Sequence, residues 1–300
     1  MIENKLISLL GEKNVLKDEP MKKHTTFKIG GNADFVVLPE TAEQVVSVIN
    51  LAKEENIPLT VLGNGSNVLV GDKGIRGIVM IISKNMSHIE IEGTRVRAGA
   101  GVLLSRLANV LYENSLKGFE FASGIPGSLG GAVYMNAGAY GEEMSGVVES
   151  VTYIDCENNI KTIPLCECDF GYRRSLFECH GGIVTECALR LDKGDKAEIK
   201  AKTDDLRERR VSKQPLDKPS AGSTFKRPEG YFAGALIEQA NLKGFKIGGA
   251  EISEKHAGFV INNGNATAKD VLEVIEYAKK TVKEKFGVDL EPEIRILGEF

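Results

Sequence analysis

The sequence predicts an α+β protein, and three observations carry that prediction. Apolar residues recur at helical spacing in some segments and alternate or run together in others. Two of the strand-like segments pair as a hairpin instead of alternating with helices, which argues against a purely parallel sheet. Two glycine-rich loops, Gly63-Asn64-Gly65-Ser66-Asn67 and Gly124-Ile125-Pro126-Gly127-Ser128-Leu129-Gly130-Gly131, each border an apolar stretch.

Taken in order, Met1 to Asn14 alternates Leu and Ile with Glu and Lys, as a short amphipathic helix does. Thr41-Ala42-Glu43-Gln44 has the pattern of a capping box, and Val45, Val48, Ile49 and Ala52 follow at helical spacing up to Asn56-Ile57-Pro58. Leu59–Leu62 reads as a buried strand entering the first glycine loop. Val68–Val70 leaves that loop, and Ile78–Ile82 is a further apolar run. Ile89–Ile91 and Val96–Ala98 alternate around Glu92-Gly93-Thr94, a hairpin signal. Val102 to Asn114 returns to helical period, and the second glycine loop leads into a short helix. Val147–Asp155 and Ile183–Leu191 read as strands, and the charged stretch 195–210 as a helix. Two more helices are expected at Ala233–Ala240 and Ala268–Phe286, then an alternating strand over Glu293–Leu297.

Composition narrows the function. Three hundred residues suffice for two domains; 42% are hydrophobic and 27% charged, as in ordinary soluble proteins. A net charge of −4 argues against a nucleic-acid surface. No apolar run is long enough to span a membrane, and the N-terminal stretch lacks the core of a secretory signal, so a cytoplasmic protein, a monomer or weak oligomer, is expected. The five cysteines, Cys156, Cys166, Cys168, Cys179 and Cys187, are odd in number, which argues against a disulfide framework. Cys166-Glu167-Cys168 has one intervening residue where zinc knuckles have two to four, so reduced structural thiols and no metal are expected.

The glycine loops carry the chemistry. Glycines at this density let backbone N–H groups approach an anion without a Cβ in the way, and two such loops suggest one ligand held at two points, most simply a dinucleotide pyrophosphate. The first loop is not a Rossmann fingerprint, since Val68 stands where the third glycine belongs and a strand follows. No Walker Gly-Lys-Ser/Thr occurs either. A helix opening after the second loop is expected to offer its free N–H groups and positive dipole end to phosphate.

Six motifs in order now resemble one family. Leu62–Asn67 and Gly124–Gly141 resemble the FAD-binding loops of the UDP-N-acetylenolpyruvoylglucosamine reductase (MurB) family. His24–Gly31, Phe170-Gly171-Tyr172-Arg173-Arg174-Ser175, Ala221-Gly222-Ser223-Thr224-Phe225-Lys226 and Leu290–Arg295 extend the likeness over nearly the whole chain. The resemblance implies a two-lobed FAD-binding domain of the vanillyl-alcohol-oxidase type plus a C-terminal α+β substrate-binding domain. The expected layout is an N-terminal helix over 1–20, the FAD-binding domain over 21–194 (lobes about 21–85 and 86–194), and the substrate domain over 195–300. At this length the chain resembles the shorter form of the family, without the tyrosine-bearing insertion. The implied reaction uses NADPH to reduce FAD, and the flavin to reduce the enolpyruvyl double bond of UDP-N-acetylglucosamine enolpyruvate, giving UDP-N-acetylmuramate for peptidoglycan.

Site residues follow from the same likeness. Leu62, Gly63, Asn64, Gly65, Ser66, Asn67, Gly124, Pro126, Gly127, Ser128, Gly130, Gly131, Ala132, Asn136 and Gly138 match the cofactor-binding loops. Arg173 matches the family arginine that meets the substrate carboxylate; its neighbour Arg174 is a rival, because strand alternation sends the two side chains opposite ways. Ser223 matches the proton donor, against the alternative of a serine bonded to its own turn. Glu293 matches a carboxylate that assists protonation, and Glu291 is the alternative two residues away. Lys213, Lys226 and Asn263 lie in segments resembling the substrate-facing ones, and suit a diphosphate and a carboxylate. His24 and His256 are read as structural or ligand-lining. Two other readings share these residues: an FAD-dependent oxidase of an alcohol or sugar on the same fold, and a non-catalytic ligand-binding module.

Overall fold

The opening helix is shorter than its sequence pattern. In the computed structural model, which describes all 300 residues, α1 covers Ile2–Leu10 and Gly11 closes it. The segment to residue 20 is instead a 3-10 turn and strand β1 (Val15–Pro20), so the helix expected over 1–20 is corrected to its first half. Only Leu6 and Leu10 have the buried spacing that holds it as a helix.

Further along, β2 (Asn32–Val37) was not expected from the sequence. Helix α2 (Ala42–Glu54) starts where Thr41 predicts: the Thr41 hydroxyl accepts the Gln44 N–H. The reciprocal half of the capping box is missing, since the Gln44 side chain takes the Glu40 N–H instead. β3 (Leu59–Leu62), β4 (Val68–Val70) and β5 (Ile75–Ile81) flank the first glycine loop. One sheet has the order β1-β2-β5-β3, with β3 and β5 parallel. β6 (Ile89–Glu92) and β7 (Arg95–Gly99) form the expected hairpin, Glu92 opposite Arg95. Then come α3 (Leu104–Glu113), β8 (Leu116–Lys117), α4 (Leu129–Tyr134), β9 (Gly138–Ala139), β10 (Glu142–Glu143) and β11 (Val148–Ile154). They are followed by β12 (Ile160–Pro164), α5 (Leu176–His180), β13 (Ile183–Arg190), β14 (Asp192–Lys193) and α6 (Lys196–Lys213). α7 (Ala233–Gln239), β15 (Lys246–Ile247), β16 (Ala250–Ile252), β17 (Val260–Asn262), α8 (Ala268–Phe286) and β18 (Arg295–Leu297) complete the chain.

The chain forms two units. The first comprises Met1–Lys17, Phe35–Asn64 and Gly77–Arg210. Its centre is an antiparallel sheet in the order β12-β11-β13-β7-β6, with α4 packed on β13. Val96, Ala98, Val151, Cys187 and Leu189 point into a core that also takes in Leu104, Leu107, Phe121 and Leu129. The second unit comprises Asp18–Asp34, Gly65–Arg76 and Val211–Phe300. It contains the antiparallel β15-β16-β17 sheet and the parallel β4·β18 pair, in which Leu69 lies opposite Ile296. α8 buries Ala268, Val271, Val274, Ile275, Ala278 and Val282 at helical spacing. A complete capping box at Thr267 and Asp270 starts that helix, a feature worth about 1 kcal/mol.

This partition departs from a linear boundary at residue 194. Segments 18–34 and 65–76 belong with the C-terminal unit, because Phe27, Ile29 and Leu69 are buried in one cluster with Phe225, Ile237, Val271 and Ile275. The stretch 195–210 belongs with the first unit. There Ile199 and Leu206 are its buried residues, and the Tyr140 hydroxyl donates to the Leu206 carbonyl.

Candidate functional site

In the first unit Gly63 and Ser128 face each other. An ideal Cβ on Gly63 would stand 2.5 Å from Ser128 Oγ, so any side chain there would fill the space the hydroxyl looks into. Ser128 Oγ is buried and has no hydrogen-bond partner, the one such side-chain atom in the protein. Buried polar groups are rarely left so, and a hydroxyl in a glycine-lined cradle marks a ligand's place. The second loop is fastened from behind: Leu104 N–H donates to Gly127 O, Leu129 N–H to Val102 O and Gly130 N–H to Ala100 O. This corrects the expectation of a free helix N-terminus, because two of the first-turn amides of α4 are already taken. Gly131 keeps its N–H open, as does Asn64 in the first loop, where no acceptor within the chain meets them. These donors and the Ser128 hydroxyl fit an anionic linkage such as a pyrophosphate.

The remaining loop residues divide by role. Gly130 is small because Ala100 stands against it, and Ala132 is buried with its N–H spent on Ser128 O. Leu62 is buried and accepts the Ile82 N–H. Gly124 and Pro126 are exposed and Gly127 is half-buried. Gly124 lies beside the Arg210 guanidinium, a Cβ there standing 3.1 Å from Arg210 Nη1. Burial pulls the Arg210 pKa below the ordinary arginine value. Sequence reasoning missed Arg210, because the charged helix around it reads as a solvated face. Asn136 and Gly138, expected at the cofactor, both bond to the arginine turn. Asn136 is fully buried, its amide donating to Gly171 O (3.0 Å) and accepting the Ser145 N–H (2.9 Å). Gly138 offers its carbonyl to Arg173 Nη2 at 3.3 Å.

Arg173 and Arg174 do not alternate on a strand. Residues 171–174 form a tight turn closed by Gly171 N–H to Arg174 O and Arg174 N–H to Gly171 O, and Arg173 takes φ +54° at its tip. The turn separates the rivals. Arg174 is exposed and tied to Asp169 and Cys179, which together raise its pKa. Arg173 is half-buried, its guanidinium 5.1 Å from the Tyr172 ring centroid. Arg173 is the arginine the fold holds in place.

In the second unit Ser223, Glu293 and Asn67 join through one backbone network. Thr224 is buried; its N–H donates to Gly258 O (2.8 Å), its hydroxyl accepts the Val260 N–H (3.0 Å), and its carbonyl accepts the Glu293 N–H (2.8 Å). Asn67 donates to the Glu293 carbonyl at 3.1 Å and accepts the Arg295 N–H at 2.9 Å. Gly65 is needed at its place: at φ +62° a Cβ would stand 1.9 Å from the His24 carbonyl oxygen, where there is no room for one. Ser223 is exposed on this pinned segment, and its hydroxyl bonds to nothing in the chain, against the alternative of a turn-bonded serine. Glu293 is half-buried and lies before the strand, which begins at Arg295, not at residue 293. Glu291 is exposed and paired with the Lys226 ammonium at 2.5 Å, so it is not equivalent to Glu293.

Among the other expected ligands, Lys213 is exposed at the end of α6. Asn263 is engaged within the chain: its carbonyl oxygen accepts from Lys218 (2.8 Å) and its amide donates to Glu251 (2.9 Å). His24 lies 3.1 Å from Glu19. His256 accepts the Gly258 N–H at Nδ1 (3.1 Å), and burial lowers its pKa, so it is a neutral structural imidazole at pH 7. Cys168 and Cys187 are buried and burial pushes both thiols up, Cys168 to about 11; Cys156, Cys166 and Cys179 are exposed.

An α+β fold with glycine loops of this kind defines an FAD-binding protein. Residues 33–163 match the FAD binding domain family, and residues 214–297 match the C-terminal domain of UDP-N-acetylenolpyruvoylglucosamine reductase. The UDP-N-acetylenolpyruvoylglucosamine reductase of Caldanaerobacter subterraneus subsp. tengcongensis is 53% identical over 299 residues, which cover 100% of this chain and 99% of the relative. That of Clostridioides difficile is 52% identical over 98% of this chain and 97% of the relative. The crystal structure of UDP-N-acetylenolpyruvylglucosamine reductase (MurB) from Thermus caldophilus is similar at a TM-score of 0.80 and 35% identity, covering 94% of this chain and 98% of that one. The chain belongs to the UDP-N-acetylenolpyruvoylglucosamine reductase family.

Proposed function

We propose that the protein is an FAD-dependent, NADPH-consuming reductase that converts UDP-N-acetylglucosamine enolpyruvate to UDP-N-acetylmuramate, in the cytoplasm, for peptidoglycan. Held at the glycine loops, FAD would supply the two-electron redox chemistry that passes a hydride from NADPH to the methylene carbon of the enolpyruvyl group. Ser128 Oγ and the open N–H groups of Asn64 and Gly131 would hold its pyrophosphate. The first unit serves the cofactor and Arg173, and the second carries the protonation machinery and substrate contacts.

Hydride addition leaves negative charge on the α-carbon and its carboxylate. The Arg173 guanidinium, a planar fork, takes that carboxylate and stabilises the charge. The Ser223 hydroxyl donates its proton to the α-carbon, and its exposure lets it recover the proton from water. Glu293, bonded through its backbone to Thr224, supports that transfer. Lys213 and Lys226 neutralise the diphosphate. Lys226 leaves Glu291 to do so, and an exposed pair of that kind is worth no more than about 1 kcal/mol.

The observation that carries the reading is the unpartnered Ser223 hydroxyl on a segment pinned at Thr224, in a chain of this family. The test separates the half-reactions. Anaerobic NADPH should bleach the flavin, and added UDP-N-acetylglucosamine enolpyruvate should restore it. Ser223→Ala should leave bleaching intact and slow the recovery by about 10²-fold or more, the low end for general acid catalysis. Equal losses in both steps would remove Ser223 as donor. Recovery only on admitting air would make the protein an oxidase.

A further inference from the structure

Arg173 adopts a left-handed conformation, φ +54°, which non-glycine residues keep only where their surroundings over-determine it. The surroundings here are three contacts to one short segment. At the entry to the turn the Asn136 amide donates to Gly171 O (3.0 Å). At the exit the Ser175 hydroxyl donates to Tyr134 O (2.6 Å) and caps α5 by accepting the Glu178 N–H. At the tip Arg173 Nη2 donates to Gly138 O (3.3 Å). Asn136 and Ser175 are both completely buried. Asn136 itself sits at φ +45°, with its amide oxygen taken by the Ser145 N–H.

We propose that Asn136 and Ser175 are positioning residues that clamp the Arg173 turn to the C-terminal end of α4, and so set the guanidinium against the substrate carboxylate. The inference rests on the role given to Arg173 above. It adds a mechanical link from cofactor loop to arginine. α4 begins at Ser128, the unpartnered hydroxyl of the cofactor cradle, and ends at Tyr134, whose carbonyl Ser175 grips. Six residues at ~1.5 Å each make α4 a ruler of roughly 9 Å between the two. A turn held at both ends to a helix cannot drift when substrate arrives. One that has lost either bond is free to relieve the strain at Arg173.

The test uses flavin-loaded enzyme. Ser175→Ala removes the donor at the exit. Asn136→Gly removes the one at the entry while keeping a residue tolerant of positive φ. Retained flavin and a cooperative thermal transition establish that each variant is folded. Two results are expected. The Arg174 amide, which bonds Gly171 O, should exchange with deuterium at least about tenfold faster, as the turn opens more often. Reoxidation of NADPH-reduced flavin by UDP-N-acetylglucosamine enolpyruvate should slow by roughly 10- to 100-fold, the cost of a misplacement of about 1 Å, with reduction by NADPH unchanged. The decisive arm is a cycle with Arg173→Ala: once the arginine is gone, adding Ser175→Ala should cost nothing more. Unchanged reoxidation in both single variants, equal slowing of both half-reactions, or losses that multiply in the double variant would each overturn the clamp. If Arg173→Ala alone leaves reoxidation at the wild-type rate, the assignment of Arg173 itself fails, and that result is read before either clamp variant is made.

Discussion

Ser128→Ala should move two properties in opposite directions. The Ser128 hydroxyl is buried and no group of the chain bonds to it, and a buried hydroxyl left so costs about 1–3 kcal/mol. Alanine removes the orphan atom at the expense of a few contacts to Gly63, so the apoprotein should gain about 1–2 kcal/mol. For a chain of this size that is a rise of roughly 2–4 °C in the thermal midpoint. The FAD-bound protein loses a hydrogen bond to a charged acceptor, worth about 1.5–3 kcal/mol, which weakens the Kd by roughly 10- to 150-fold. The assays are differential scanning fluorimetry of FAD-stripped enzyme and a flavin-fluorescence titration. A less stable apoprotein together with unchanged FAD affinity would refute the reasoning, because it would make Ser128 an ordinary packing residue.

Arg174→Ala should leave kcat within about twofold and stability within ~0.5 kcal/mol, as for surface changes generally, because its partners Asp169 and Cys179 lie outside the Arg173 contacts; a loss matching that of Arg173→Ala in the reoxidation assay would reverse the choice between them. The lowered His256 pKa means the folded state holds the proton less well than the unfolded state, whose value is about 6.5. Its contribution to stability is therefore complete above that value and is lost as pH falls toward the folded pKa. His256→Gln should flatten the fall in thermal midpoint below pH 6.5, and parallel wild-type and variant curves would contradict this. Under native conditions at pH 8, iodoacetamide should label Cys156, Cys166 and Cys179 while Cys168 and Cys187 react only after unfolding, which intact-mass spectrometry reads as three adducts against five.

Much of the fold was legible because it rests on local patterns. α8 runs over the same residues, Ala268–Phe286, that its periodicity predicts, and Thr41 caps α2 as expected. The hairpin at Gly93 and both glycine loops were legible for the same reason, since each depends on what a few adjacent residues permit the backbone to do. β2 and β12 escaped notice. β12 is an edge strand with an almost wholly exposed burial pattern, so no alternation betrays it. The first turn of β18 was over-read, because Pro292 and Glu293 pair with Thr224–Phe225 through tertiary bonds instead of continuing a strand.

The site divides the same way. By itself the sequence determined the family and the α+β class, and it nominated the cofactor loops and the short list of Arg173, Ser223 and Glu293, since all of these readings rest on residue types in fixed local order. Tertiary structure decided which of two adjacent arginines is held, that Glu291 is spent on Lys226, that Asn136 and Asn263 bond within the chain, and that Arg210 lies half-buried beside Gly124. It also decided that residues 18–34 and 65–76 belong with the C-terminal unit. Each of those outcomes turns on a partner tens to hundreds of residues away. A side chain's burial and its hydrogen-bond partner are properties of the packed core, and no local spacing encodes them.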